Sequence, residues 1–149
     1  MKIVMAAGLA LAVSSGAALA QVKPEVLVKQ RQAVMTLQGK YWGPIAGMAS
    51  GKVSPYNADV VARNATYLEN LGQMAWDGFD VSTKDVKSAA LPAIWENPAK
   101  FKEAADRLQN ELVKLGAVAR ARDEAGVKAQ FGAVGKSCGG CHESFRAKQ

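Results

Sequence analysis

Residues 125–149 read AGVKAQFGAVGKSCGGCHESFRAKQ. Within them Val127, Phe131, Val134, Cys138, Cys141 and Phe145 follow at steps of four, three, four, three and four. Those steps track a period of 3.6, so the six side chains share one face of a helix beginning near Ala125 or Gly126. An apolar stripe of this kind is stable only when another element covers it.

Three further helical stretches lie upstream. The first starts near Pro24, a favourable first-turn residue. Leu27, Val34, Tyr41 and Met48 recur there at seven, with Leu37 and Ile45 between them and Val28, Met35 and Trp42 alongside. Gly43-Pro44 is expected to bend it, because proline removes a backbone donor and crowds the preceding turn. After a turn over Gly51 to Pro55, Asn57 is placed to cap a second helix whose face carries Val61, Asn64, Leu68, Leu71 and Ala75. A loop from about Asp77 to Leu91 follows. The third helix opens at Asn97-Pro98 and buries Phe101, Ala105, Leu108, Leu112, Leu115 and Ala119. No stretch alternates with period two. Four amphipathic helices with mostly short connections predict an all-α, antiparallel up-down four-helix bundle.

The chain has 149 residues, 49% of them apolar and 21% charged, a globular composition suited to one domain. Residues 1–20 read as a secretory signal. Lys2 precedes an apolar run over Ile3 to Val13, and Ala18-Leu19-Ala20 offers small residues at both positions a signal peptidase reads. The run falls short of the about 20 apolar residues that span a bilayer, and no cysteine follows for a lipid anchor. Residues 21–149 then form the exported domain, placed in the periplasm with no membrane anchor. The formal net charge of +6 suits an anionic partner or simple solubility. Neither an arginine-rich arm nor a basic-aromatic stripe points to nucleic acid.

Two cysteines and one histidine are all the chain has, and they stand together as Cys138-Gly139-Gly140-Cys141-His142. C-x-x-C-H is the pattern of c-type haem attachment. Cysteines three apart on a helical path face the same side and reach two vinyl groups on one porphyrin edge. The following histidine reaches the iron. Gly139 and Gly140 allow the haem edge close to the backbone. Other readings are weaker. A helical C-x-x-C disulfide is strained, a thioredoxin-like site needs a βαβ context, and zinc needs a fourth ligand from a chain with no other cysteine or histidine. One haem c per chain is expected, covalently held by Cys138 and Cys141, with His142 on the iron. The sixth position then falls to a methionine or to nothing.

These residues resemble the cytochrome c′ family, the four-helix class of c-type cytochromes, over nearly all of residues 21–149. In most c-type cytochromes the haem motif lies near the N-terminus. Here it lies on the last helix, as in this family. Lys23-Pro24-Glu25, Arg31-Gln32 and Thr36-Leu37 are similar to the family's first helix. Pro55-Tyr56 and Asn64, Trp76 and Phe79, Ile94-Trp95 with Phe101, and Phe131 through Arg146 carry the rest. Asn57 stands where aspartate is common, and the turn before Pro55 is one residue longer.

The resemblance implies roles by position. Arg31 lies near a haem propionate, Trp76 and Phe79 pack near the haem, and Arg146 sits by the proximal pocket. Met35 takes the distal position, one turn after Arg31. The family usually has a bulky apolar side chain there over an open iron, although some relatives place a ligating methionine. Arg31 and the pattern of the first helix favour the five-coordinate kind. The family also implies a homodimer through the first and second helices.

Three functions follow from this reading. The first is a five-coordinate haem protein that binds nitric oxide or carbon monoxide, with redox proteins as further partners. The second is a six-coordinate methionine/histidine electron-transfer cytochrome. The third, of another class, is a non-haem helical interaction module. No distal acid–base pair is evident, so enzymatic activity is not expected.

Overall fold

The computed structural model describes residues 22–148, and the expected signal segment lies outside them. Four long helices account for most of the described chain: α1 (Pro24–Ala49), α2 (Ala58–Met74), α4 (Pro98–Arg120) and α5 (Glu124–Phe145). The single-turn α3 (Ala93–Glu96) precedes α4. The long helices form an antiparallel four-helix bundle in which α1 packs on α2, α2 on α4, α4 on α5 and α5 on α1. Two ion pairs display the antiparallel sense. The C-terminal end of α4 meets α2 through Arg120–Glu69 at 2.6 Å, and the turn after it meets the start of α2 through Arg122–Asp59 at 2.5 Å.

Local chemistry sets the helix ends. Asn57 Oδ1 accepts the Val60 N–H at 3.0 Å and starts α2 as anticipated. Asp123 Oδ1 accepts the Gly126 N–H at 2.9 Å, so α5 begins at Glu124, slightly ahead of the predicted start. Asn97 occupies the cap position of α4, but its side chain makes no capping bond; Pro98 supplies the start. Gly51, at φ 75°, turns the chain out of α1 in a region unfavourable to residues with a Cβ. The helix α1 is continuous through Pro44. Either capping variant, Asn57→Ala or Asp123→Ala, is expected to lower stability by about 1 kcal/mol in urea denaturation.

Packing density differs along the bundle. Ile45, Val61, Leu115 and Val127 are buried where the end of α1, the start of α2, the end of α4 and the start of α5 converge. Toward the other end the stripes diverge around a hollow, and Met35, Trp42, Phe101, Cys138 and Cys141 are only half-buried. Leu37, assigned to the inner stripe from sequence, is 38% exposed on the outer surface.

The expected loop over residues 77–91 is a structured strap. It contains 3₁₀ turns at Trp76–Phe79 and Val81–Thr83, and Thr83 is fully buried. The strap then runs antiparallel to the chain end. The Leu91 N–H donates to the Phe145 carbonyl at 3.0 Å, and the Ala147 N–H donates to the Ala89 carbonyl at 2.8 Å. These bonds fasten the last turn of α5 across the open end of the bundle.

Candidate functional site

The hollow is a cavity of about 620 Å³, within the range of small-molecule sites. All eight residues singled out from sequence line it: Arg31, Met35, Trp76, Phe79, Cys138, Cys141, His142 and Arg146. They come from α1, the strap and α5. The structure adds Trp42 on α1, Leu68 on α2, Leu108 and Leu112 on α4, and Ile94 on α3. Most of these had been read as core. Their apolar stripes gave no sign of which turns face a hollow rather than another helix.

One wall is aromatic. Phe79 and Phe101 meet edge to face with centroids 4.8 Å apart, Phe101 meets Phe145 at 5.3 Å, and Trp76 meets Phe101 at 6.0 Å. Two of the three indole N–H groups hold hydrogen bonds. Trp76 Nε1 donates to the Gly72 carbonyl at 2.6 Å, and Trp95 Nε1 donates to the Phe79 carbonyl at 2.9 Å. The first bond fixes the Trp76 ring on the cavity wall, and the second ties Trp95 on α3 to the strap.

Arg31 is 3% exposed. Its Nη1 donates to the Gly78 carbonyl and, at 3.0 Å, to Thr83 Oγ1, while its Nη2 donates to Ser88 Oγ at 2.9 Å. The guanidinium carbon lies 4.5 Å from the Phe79 centroid, a cation–π contact. Gly78 makes this approach feasible, because a Cβ there would stand 2.5 Å from the Arg31 Cβ. Every one of these partners is neutral. Among the described residues Arg31 has no carboxylate partner, and burial lowers its pKa from the ordinary value. A buried cation at a cavity wall without an internal anion suits a ligand that brings its own carboxylate.

On α5 the two cysteines lie one turn apart on the cavity face, as free thiols. Burial raises both thiol pKa values. For Cys141 the neighbouring Cys138 adds to the rise and Arg146 opposes it. Partial burial and then Arg146 push the His142 imidazole below its usual value, favouring the neutral form that ligates metals. Arg146 ends α5 one turn beyond His142, its N–H donating to the His142 carbonyl at 3.1 Å. A Cβ at Gly139 or Gly140 would meet nothing within 4 Å. The polypeptide itself therefore does not require glycine there, and space beside the motif is left open. Among the described residues no three Cys, His, Asp or Glu side chains gather into a metal site. A flat apolar group attached along α5, ligated by His142 and carrying acidic edges toward Arg31, matches the donor set, the aromatic wall and the unpaired cation.

Residues 26–146 match the family model described as Cytochrome C'. Cytochrome c' of Alcaligenes xylosoxydans xylosoxydans is 36% identical over 127 residues, covering 85% of this chain and 98% of the relative. The crystal structure of cytochrome c' from Rubrivivax gelatinosus superposes with a TM-score of 0.80 at 35% identity, over 83% of this chain and 97% of that one. A nitric oxide complex of a variant cytochrome c prime from Alcaligenes xylosoxidans superposes with a TM-score of 0.80 at 36% identity, over 87% and 99%. With this degree of likeness along almost its whole described length, the chain belongs to the cytochrome c′ family of c-type haem proteins.

Proposed function

We propose that this protein is an exported c-type haem protein that binds small neutral gases at a five-coordinate iron. One observation carries the reading: Cys138, Cys141, His142, Met35 and Arg31 converge on a single largely apolar cavity. The nitric oxide complex of the Alcaligenes relative supports it. Cys138 and Cys141 would hold the haem as thioethers, and His142 would ligate its iron. Arg31 receives a carboxylate at the cavity wall, and Arg146 sets the charge beside His142. The iron supplies the gas-binding position. The chain's part is to exclude water and anions from it with Met35, Trp42 and the aromatic wall.

The cavity lining contains no Asp or Glu, and His142 is the chain's one histidine. That set offers no carboxylate or second imidazole for a distal acid–base pair, which suits reversible gas binding and disfavours peroxidase-type catalysis. The apolar run of residues 1–20 supports export to the periplasm. Val26 and Leu37 on α1 with Tyr67 and Met74 on α2 are exposed and give those helices an outer apolar face, which supports a homodimer there.

A second reading also has an observation behind it. Met35 is a half-buried thioether on the cavity wall, one turn from Arg31, and a flexible side chain of this kind can ligate iron. An absorption spectrum separates the two readings. A high-spin ferrous spectrum that changes on adding carbon monoxide supports the gas-binding form. A low-spin spectrum indifferent to carbon monoxide sinks it. Met35→Ala is expected to speed carbon monoxide association by about tenfold, equivalent to removing roughly 1.4 kcal/mol of barrier. Stopped-flow mixing reads this directly, and an unchanged rate removes Met35 from the ligand path.

A further inference from the structure

A second crevice of about 460 Å³ lies on the opposite side of α5, between it and the first half of α4. It shares Cys141 and Phe145 with the main cavity, so the two hollows adjoin across those side chains. Helical spacing builds its walls. Lys100, Glu103, Ala104 and Arg107 form one face of α4, while Lys136, Gly140 and Ser144 form the facing side of α5. Small residues at 104 and 140 keep the trough open between longer cationic walls.

The charges are one-sided. Lys100, Arg107 and Lys136 line the crevice against the single carboxylate of Glu103. Arg107 already holds that carboxylate at 2.7 Å, with both side chains largely exposed. Lys100 and Lys136 form no ion pair among the described residues, in contrast to Lys102, Lys114 and Lys128, each paired along its own helix. The first turn of α4 also carries no acidic residue, and the Asn97 side chain does not cap it. Its helix-terminal amides therefore add to the positive field. The net charge of +6 gives the whole chain the same sign.

We propose that this crevice docks the acidic surface of a protein partner, beside the turn of α5 that carries Cys141. A trough open to solvent and walled by long mobile cations suits an extended carboxylate-bearing surface, where complementary charge governs encounter and orientation. The inference rests on the charge layout of α4 and α5 and stands whether the iron is five- or six-coordinate.

The test uses the haem-loaded full chain and poly-L-glutamate as probe, followed by backbone amide NMR shifts at low and high salt. Saturable shifts confined to the first half of α4 and to residues 136–144 are expected, lost at high salt through screening. The Lys100→Glu, Lys136→Glu double variant is expected to weaken affinity by about tenfold or more. Lys52→Glu, in the turn at the far end of the bundle, is expected to leave it unchanged. Inorganic phosphate giving the same saturable shifts would overturn the proposal in favour of a small-anion site. Shifts spread over every basic face, or equal loss in the Lys52 variant, would also overturn it. An unchanged haem absorption spectrum confirms that each variant is folded, so a lost haem site is distinguished from a lost docking surface.

Discussion

The Cys138→Ala, Cys141→Ala double variant is expected to carry no covalently bound haem, even when produced beside haem-attachment machinery. Each single variant keeps one thioether and is expected to retain haem at reduced yield. Haem staining after denaturing electrophoresis reads the difference, and a stained double variant would end the thioether reading. The physical reason lies in α5. The two thiols project one turn apart into the same cavity, and no other cysteine exists to replace them. The fold is expected to survive, because the dense core around Ile45, Val61, Leu115 and Val127 lies toward the other end of the bundle. Far-ultraviolet circular dichroism should still show the helices. His142→Ala supplies the complement: attachment largely persists while the native iron spectrum is lost.

The second large effect is expected at Arg31, and it depends on whether the haem is in place. In the haem-free chain two terms oppose each other. Bonds from the guanidinium to Gly78, Thr83 and Ser88 contribute about 1.5–3 kcal/mol each. Burial of a cation without an anion costs several kcal/mol. Arg31→Ala in the haem-free chain is therefore expected to change stability little. A haem carboxylate beside it would offset the desolvation penalty, and removal from the haem-loaded protein is then expected to cost about 3–5 kcal/mol. Urea denaturation of both forms measures the contrast. Equal losses in the two forms would show that Arg31 serves the strap alone. Arg31→Lys is not expected to rescue, because an ammonium cannot span Gly78, Thr83 and Ser88 while stacking on Phe79.

The four stripes were legible because each long helix buries one face with a steady 3.6-residue period. The Asn57 cap and the proline starts at Pro24 and Pro98 were legible as local chemistry. The start of α5 was placed a little late because Asp123 caps from outside the apolar pattern. The four-residue α3 is shorter than two turns and generates no periodicity. Leu37 was misplaced because a heptad reading cannot tell the inner stripe from an adjacent outer one. The candidate site was legible at Cys138, Cys141 and His142 because attachment chemistry dictates adjacent residues. Arg31 was singled out through the resemblance, but its protein partners were not. Its partners Gly78, Thr83 and Ser88 lie far along the chain, and only the folded strap brings them to it.

The pairing of Ala89 and Leu91 with Phe145 and Ala147 also bears on the order of assembly. The cavity draws its walls from Arg31 at one extreme of the described chain to Arg146 at the other, and the strap is latched by the final residues. In chain order the first three long helices all precede the attachment residues, so in an exported chain threaded N-terminus first they would arrive before Cys138, Cys141 and His142. A haem joined to Cys138 and Cys141 would therefore be the last component to arrive, and it would hold the two ends of the described chain in register.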